Sequence, residues 1–154
     1  MKLTSKGRYA VRALLDIAYH GGGGTAQARD VARRQNIPAR FLDQIFQDLR
    51  RAGLVRSKRG PKGGFTLARA PEEISLGDAL RAVEGPGAFG APASGAKKGG
   101  PADRSLAPIT DAIFRELSEG IATSFDAVTF AELIRRGEAL GIARGPRGAY
   151  MYFI

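Results

Sequence analysis

A glycine- and proline-rich stretch, SKRGPKGGF at residues 57–65, lies between two segments that favour extended structure, LVRSKR and FTLAR. A cluster of glycine and proline bends the backbone where other residues would clash. Extended segments on both sides of such a turn are typical of a β-hairpin. We therefore predict a hairpin over residues 54–69 with a cationic tip. A phosphate-binding loop would need Gly-Lys-Ser/Thr at its end, whereas Lys62 is followed by two glycines and a phenylalanine.

Three helical patterns precede this hairpin. They cover about residues 5–19, 26–35 and 38–53, each with apolar residues on one face. The second helix must end before Pro38, because the residue before a proline avoids the helical region. Pro38 itself suits the first turn of the third helix, where its missing N–H costs nothing. The residues predicted to face inward are Val11, Leu14, Leu15 and Ala18, then Val31 and Ala32, then Phe41, Leu42, Ile45 and Leu49.

The order of these elements indicates a fold class. Two short helices joined by a tight turn, with a hairpin directly after them, are typical of a winged helix-turn-helix. Ser75 and Asp78 have capping-box spacing and predict a fourth helix over residues 75–85. We predict a fold that is mainly α with a small β-hairpin, and a winged helix-turn-helix DNA-binding domain over residues 1–85.

The remainder of the chain divides into three parts. Residues 86–104 have almost nothing to bury and are predicted to form a flexible loop. Residues 105–143 hold a long apolar helix and a short helix that Thr129 and Glu132 cap, and residues 144–154 form an apolar tail. The long helix could cover its own domain or pair with a second copy, and its position after the loop favours dimerisation. The residues predicted at this dimer interface are Leu106, Ile109, Ile113, Leu117 and Ile121.

Charge and composition narrow the function. The net charge is +9, and residues 1–69 carry 15 lysines and arginines against 4 acidic residues, whereas residues 70–154 carry a net −2. Positive charge concentrated in one segment predicts a surface that faces a polyanion, and nucleic acid is favoured over an anionic membrane. The chain has no cysteine, which excludes thiolate metal sites and thiol nucleophiles. We predict no enzyme, because His20 stands alone and the carboxylates have no catalytic spacing. Without an apolar run of about 18 residues, a cytoplasmic protein is expected.

Polar residues on the third helix and the hairpin tip are the candidate nucleic-acid contacts. The N-terminal part of such a helix enters the major groove, where Gln44 could pair with adenine and Arg40 with guanine or a phosphate. Asp43 would accept from cytosine or repel phosphates. The simpler alternatives are a solvated helix face and a solubilised turn, and an RNA-binding module would share the same charge. The predicted DNA contacts are Arg40, Asp43, Gln44, Arg50, Arg51, Lys58, Arg59, Gly60 and Lys62.

Three segments, MKLTSKGRYAVRALLDIA, IPARFLDQIFQDLRRAGLVRSKRGPKGGFTLAR and LGDALRAVEGP, together resemble the Rrf-type family of bacterial winged-helix regulators. The resemblance covers residues 1–86, and its most specific part is the hairpin with its glycine pattern. It implies a homodimeric transcription factor, a repressor, that reads a partly palindromic operator in double-stranded DNA. The family's recognition-helix contacts match Arg40, Asp43 and Gln44, and its wing contact matches Arg59.

The chain also departs from the family pattern. Several members hold an iron–sulfur cluster with three cysteines in the loop that here reads GAFGAPASGAKKGGPAD, so no cofactor is expected. The ending GAYMYFI resembles a cluster-free branch that represses cysteine metabolism, which implies control of cysteine or sulfur genes and cysteine synthase as a partner. The alternatives are a tail that packs on the protein itself and a regulator of an unrelated stress or metabolic pathway. The predicted partner-binding residues are Tyr150, Tyr152, Phe153 and Ile154.

Overall fold

The computed structural model describes residues 3–21, 24–90 and 106–144, and these form helices around a two-stranded antiparallel sheet. Strand β1 pairs with β2 in the register Val55↔Leu67 to Lys58↔Gly64. The fold is mainly helical with a small hairpin, which confirms the predicted class. In chain order the elements are α1 (Ser5–His20), α2 (Ala28–Gln35), α3 (Ala39–Arg51), β1 (Val55–Lys58), β2 (Gly64–Leu67), α4 (Leu76–Glu84), α5 (Ala107–Asp126) and α6 (Phe130–Ala139).

The starts of the helices follow from their capping residues. The Ser75 hydroxyl accepts from the Asp78 N–H at 3.0 Å, and the Asp78 carboxylate accepts from the Ser75 N–H at 3.1 Å, so the predicted capping box is present. At α6, the Thr129 hydroxyl accepts from the N–H of Glu132. Pro38 lies at the N-cap of α3, one position before the predicted first turn.

The hydrophobic core lies where α1 meets α2, α3, α4 and the hairpin. It also includes Phe130, the first residue of α6, which is fully buried, and the N–H of Phe130 donates to the carbonyl of Ile74. The short final helix therefore packs on the N-terminal unit, although the sequence grouped it with the long helix. The largest fully buried side chains are Leu14, Ile17, Val31, Leu42, Ile45, Phe46, Leu49, Leu54, Val55, Ile74, Leu80 and Phe130.

Helix α1 buries a different stripe from the predicted one. Ala10 and Ala13 have no exposed surface and join Leu14 and Ile17 in the core. Of the other predicted inward residues, Val11, Leu15 and Ala18 are only partly buried. The small alanines face the neighbouring helices, and the lack of bulk at those positions allows the close approach of their backbones.

Two positions on α3 also differ from the prediction. Phe41 is half exposed and meets Tyr9 edge to face at 6.2 Å between ring centres, whereas Phe46 is buried instead. The charged residue Asp48 on the same helix is also buried, at 6% exposed. The hairpin explains why Phe46 is buried and Phe41 is not, because Phe65 of β2 covers the side of α3 that carries Phe46.

The loop predicted at 86–104 overlaps the described residues only at 86–90. There the chain forms a turn that buries Phe89, whose ring lies 5.2 Å from that of Phe125 on α5. Arg81 of α4 lies over the Phe89 ring and holds Asp126 of α5 at 2.5 and 3.2 Å. The beginning of this segment is therefore packed between α4 and α5, and the remainder lies outside the described residues.

Candidate nucleic-acid interface

The turn between α2 and α3 sets the direction of α3. Helix α2 ends at Gln35, and its C-cap Asn36 has a left-handed backbone with φ of +50° and an N–H that donates back to α2. Ile37 follows and is buried, and Pro38 then begins the new helix. Asparagine tolerates this conformation better than most residues. The result is a short helix-turn-helix in which α2 and α3 share the core through Val31 and Ile45.

The outer face of α3 carries the predicted reading residues. Arg40, Asp43 and Gln44 lie within its first two turns, and all three are exposed. Within the described residues, the side chains of Arg40 and Asp43 make no hydrogen bond or ion pair, so both are available to a ligand. Gln44 differs, because its Nε2 donates to Oδ1 of Asp48 at 3.3 Å. At the other end of α3, Arg50 and Arg51 are exposed, and Arg51 also contacts Asp48.

The hairpin tip presents the predicted wing cations. Lys58, Arg59, Gly60 and Lys62 are all exposed, and the cationic side chains among them have no partner in the part of the chain that the structure describes. Gly60 has φ of +108°, a conformation that L-residues rarely adopt, so a glycine is needed at this turn. The tip is consequently narrow and carries three uncompensated positive charges.

Contacts to the segment before α2 fix the position of the wing. Ala26 and Phe65 exchange two backbone hydrogen bonds of 2.8 Å each and so form an isolated antiparallel bridge beside β2. The Thr25 hydroxyl donates to the carbonyl of Lys62 at 2.8 Å, and the Gln27 amide donates to that of Pro61. A side chain at Gly64 would collide with the carbonyl of Ala26, so only glycine allows this approach.

An aromatic stack joins the wing directly to α3. The rings of Phe46 and Phe65 lie 4.1 Å apart between centres at an angle of 17°. Such a pair contributes about 0.5–1.5 kcal/mol beyond the burial of its surface. Because Phe46 is on α3 and Phe65 is on the return strand β2, the stack holds the wing at a set distance from the reading face. Sequence reasoning missed this pair, since it placed Phe41 in the core.

The cations of the predicted DNA interface differ in their pairing from the arginines of α4, α6 and the segment after α6. The arginines of α4 and α6 and of the segment after α6 are paired: Arg81 with Asp126, Arg136 with Glu132 at 2.7 Å, and Arg144 with Glu138 at 2.9 Å. The predicted DNA contacts on α3 and the wing tip, apart from Arg51, leave their cationic side chains unpaired within residues 3–21, 24–90 and 106–144. Unpaired cations grouped on one surface create a positive field, which is the expected footprint of a nucleic-acid interface.

Helix α5 exposes the apolar residues that the sequence predicted at a dimer interface. None of its residues is buried. Leu106, Ile109, Ile113 and Leu117 are between 47% and 72% exposed, and Ile121 is partly buried. An apolar row of this length rarely faces water in a monomeric protein.

The predicted tail, any metal ligands and any membrane-spanning helices remain to be considered. The tail residues Tyr150, Tyr152, Phe153 and Ile154 lie outside the described residues. Among the described residues, no three His, Asp or Glu side chains are grouped so that they could hold a metal ion. No helix in that same part of the chain is long and apolar enough to cross a membrane.

Comparison with known proteins identifies the family. The Rrf2 family, described as "Iron-dependent Transcriptional regulator", matches residues 3–136. The chain belongs to the Rrf2 family. It is a transcriptional regulator of this type, as its relatives are named. This agrees with the resemblance noted in the sequence.

Individual relatives support the assignment. The chain is 41% identical to "HTH-type transcriptional regulator IscR" of Erwinia tasmaniensis over 93% of its length and 84% of the relative. It is 38% identical to the IscR regulator of Escherichia coli over 93% and 86% of the two chains. Among solved structures, IscR of T. potens superposes with a TM-score of 0.74 at 32% identity, covering 94% of both chains. CymR of B. subtilis, described as the global cysteine regulator, gives 0.69 at 27% identity over 88% of this chain and 98% of the other.

The family's description implies iron, and the residues of this chain do not fit an iron–sulfur cluster. Such clusters are held by cysteine thiolates, in some centres together with histidine. The full sequence contains no cysteine and a single histidine, His20. His20 lies 4.0 Å from Asp16, whose carboxylate is already bound by Arg34 and Gln35. No thiolate ligand is therefore present anywhere in the chain.

Proposed function

We propose that this Rrf2-family regulator is a cytoplasmic, homodimeric repressor that binds a partly palindromic operator in duplex DNA. The observation that carries the proposal is the unpaired cationic surface of α3 and the wing, held as one unit by the Phe46–Phe65 stack. In this arrangement α3 enters the major groove, where Gln44 reads adenine and Arg40 contacts guanine or a phosphate. The narrow wing tip, with Arg59 and Lys62, lies against the minor groove and its phosphates.

The exposed apolar row of α5 supports the proposed dimer. Two copies of this helix, packed along Leu106, Ile109, Ile113, Leu117 and Ile121, would cover the exposed apolar row and relate two reading helices by a two-fold axis. A two-fold protein reads a palindrome whose half-sites lie about one or more helical turns apart, with each turn of about 10–10.5 base pairs. We infer that the operator has this symmetry.

The test is selection of binding sites from a library of random duplexes, followed by hydroxyl-radical footprinting of the selected site. We expect the selected site to be an inverted repeat that two protomers protect. For Gln44→Ala, the selected sites should lose their preference for adenine at one position of each half-site. Competition with structured RNA is the control for the alternative that the protein is an RNA-binding module. We expect the selected duplex to bind more tightly than the RNA. Recovery of unselected sequence, or stronger binding of the RNA, would contradict the proposal.

We further propose that regulation does not use an iron–sulfur cluster, because the chain offers no thiolates to hold one. Control of cysteine or sulfur genes, with cysteine synthase bound through Tyr150, Tyr152, Phe153 and Ile154, stays a prediction. Its support is the tail sequence, together with the structural likeness to CymR, the global cysteine regulator of B. subtilis. Deleting Ile154 should abolish co-purification with the synthase and leave dimerisation intact. Undiminished binding by the truncated protein would show that the tail has another role.

A further inference from the structure

Asp48 is a buried carboxylate in the C-terminal half of the reading helix. Its side chain is 7% exposed and accepts from three donors: Lys6 Nζ at 2.7 Å, Arg51 Nη1 at 3.2 Å and Gln44 Nε2 at 3.3 Å. The Lys6 ammonium also donates to the carbonyl of Val83 at 3.0 Å. A chain of polar contacts thus runs from α4 through Lys6 and Asp48 to Gln44 on the outer face of α3.

The position of Asp48 breaks two local rules. It lies next to Leu49 on the buried side of α3, where an apolar residue would match its neighbours. A negative charge near the C-terminal end of a helix is also disfavoured by the helix dipole. Residues that break such rules are expected where function requires them.

The second buried carboxylate of the described residues shows a different use. Asp16 on α1 binds Arg34 at 2.5 and 3.0 Å and Gln35 at 2.8 Å, contacts that join α1 to the end of α2. None of these partners lies on the reading face of α3. Asp48, in contrast, makes one of its contacts with Gln44, a residue predicted to read a base.

We propose that Asp48 is a positioning residue for sequence reading, an inference that rests on the proposed DNA-binding function. Gln44 donates one Nε2–H to Asp48, and this hydrogen bond fixes the rotation of the amide group. It thereby determines which way Nε2 and Oε1 face. The second Nε2–H and Oε1 then remain free for N7 and the N6 amino group of adenine, the pair of contacts that glutamine makes in the major groove. Without Asp48, the amide is free to rotate, and the preference for adenine over the other bases at this position is weakened.

Lys6 makes this arrangement possible in the folded protein. A buried carboxylate without a cation would be costly, and Lys6 provides the nearest positive charge from a different helix. Because Lys6 is also bound to Val83, the carboxylate is held against the body of the domain and not by α3 alone. The orientation of the Gln44 amide is therefore set before DNA arrives.

The test uses the duplex selected by the full-length wild-type protein and the same duplex with 7-deazaadenine, which lacks N7, at each adenine in turn. For wild type, one replacement should weaken binding by roughly 2- to 12-fold, the range expected for loss of one of the two hydrogen bonds of the bidentate contact. In Asp48→Leu this ratio should fall toward one, while affinity for random duplex does not decrease, because a negative charge near the phosphates has been removed. In Gln44→Ala, adding Asp48→Leu should cost no further discrimination.

Ser75→Ala is the matched control for stability, because it loses the N-cap of α4, which belongs to neither α3 nor the wing, and should keep the wild-type ratio. Asp48→Asn is a second variant of the same shape, in which Lys6, Arg51 and Gln44 compete for one acceptor, and its ratio should also fall. An undiminished ratio in a folded Asp48→Leu or Asp48→Asn protein overturns the inference and leaves the proposed function standing. A wild-type protein indifferent to every replacement overturns the role of Gln44 as well.

Discussion

The wing provides the most quantitative prediction, because a cation of its tip and the hydrogen bond from Thr25 that holds the tip can be removed separately. Lys62 is exposed and its side chain has no partner among the described residues, so Lys62→Ala should leave the fold intact. Each phosphate contact contributes about −0.9 to the slope of log affinity against log salt concentration. If both wings of a dimer contact phosphate through Lys62, the slope should become shallower by about 1.8. The assay is fluorescence anisotropy of a labelled duplex titrated over a series of sodium chloride concentrations.

Thr25→Val is the matched control for this measurement. It removes the hydrogen bond of 2.8 Å from the Thr25 hydroxyl to the Lys62 carbonyl and leaves all charges in place. A hydrogen bond of this kind contributes roughly 0.5–1.5 kcal/mol, so affinity should fall by no more than about tenfold per wing. The salt slope should stay at its wild-type value. An unchanged slope in Lys62→Ala, or an equal change in Thr25→Val, would refute the reasoning that the tip touches phosphate.

Three further predictions concern other parts of the chain. Burial raises the pKa of Asp78, but hydrogen bonds from Ser75 and Arg81 outweigh it and hold that pKa below its ordinary 3.8. The Asp78 carboxylate therefore stabilises the fold above about pH 4, and Asp78→Asn should lower the free energy of unfolding in urea at pH 7 but less as the pH falls. Ile113→Asp on α5 should give a folded monomer by analytical ultracentrifugation, with weaker operator binding; a persistent dimer would exclude α5 as the interface. The purified protein should be colourless and bind DNA, whereas stoichiometric iron and sulfide would contradict the absence of a cluster.

Local patterns in the sequence were sufficient to predict the elements. The hairpin at Val55–Lys58 and Gly64–Leu67 and the start of α4 at Ser75 depend on turn residues and caps, which act over a few neighbours. The charge of the reading face was equally visible, because Arg40 and the wing cations are surface residues by type. These features need no knowledge of what packs against them.

The features that could not be predicted depend on contacts between distant segments. Phe41 and Phe46 are both apolar residues of α3, and only Phe65, far along the chain, decides which one is buried. Asp48 has the character of a surface residue until Lys6 is placed beside it. The anchor of the wing at Ala26 consists of backbone hydrogen bonds, for which the side-chain pattern carries no signal. In each case tertiary packing overrode local pattern.

The most direct test of DNA reading by α3 and the wing is equilibrium titration of the wild-type protein with two duplexes at one salt concentration. One duplex carries the selected site, and the other has the same length and base composition in scrambled order. Specific binding is typically tighter than non-specific binding by about 10³- to 10⁷-fold, and we predict a ratio in this range that falls in Gln44→Ala. Equal affinity of the wild-type protein for both duplexes would contradict the account.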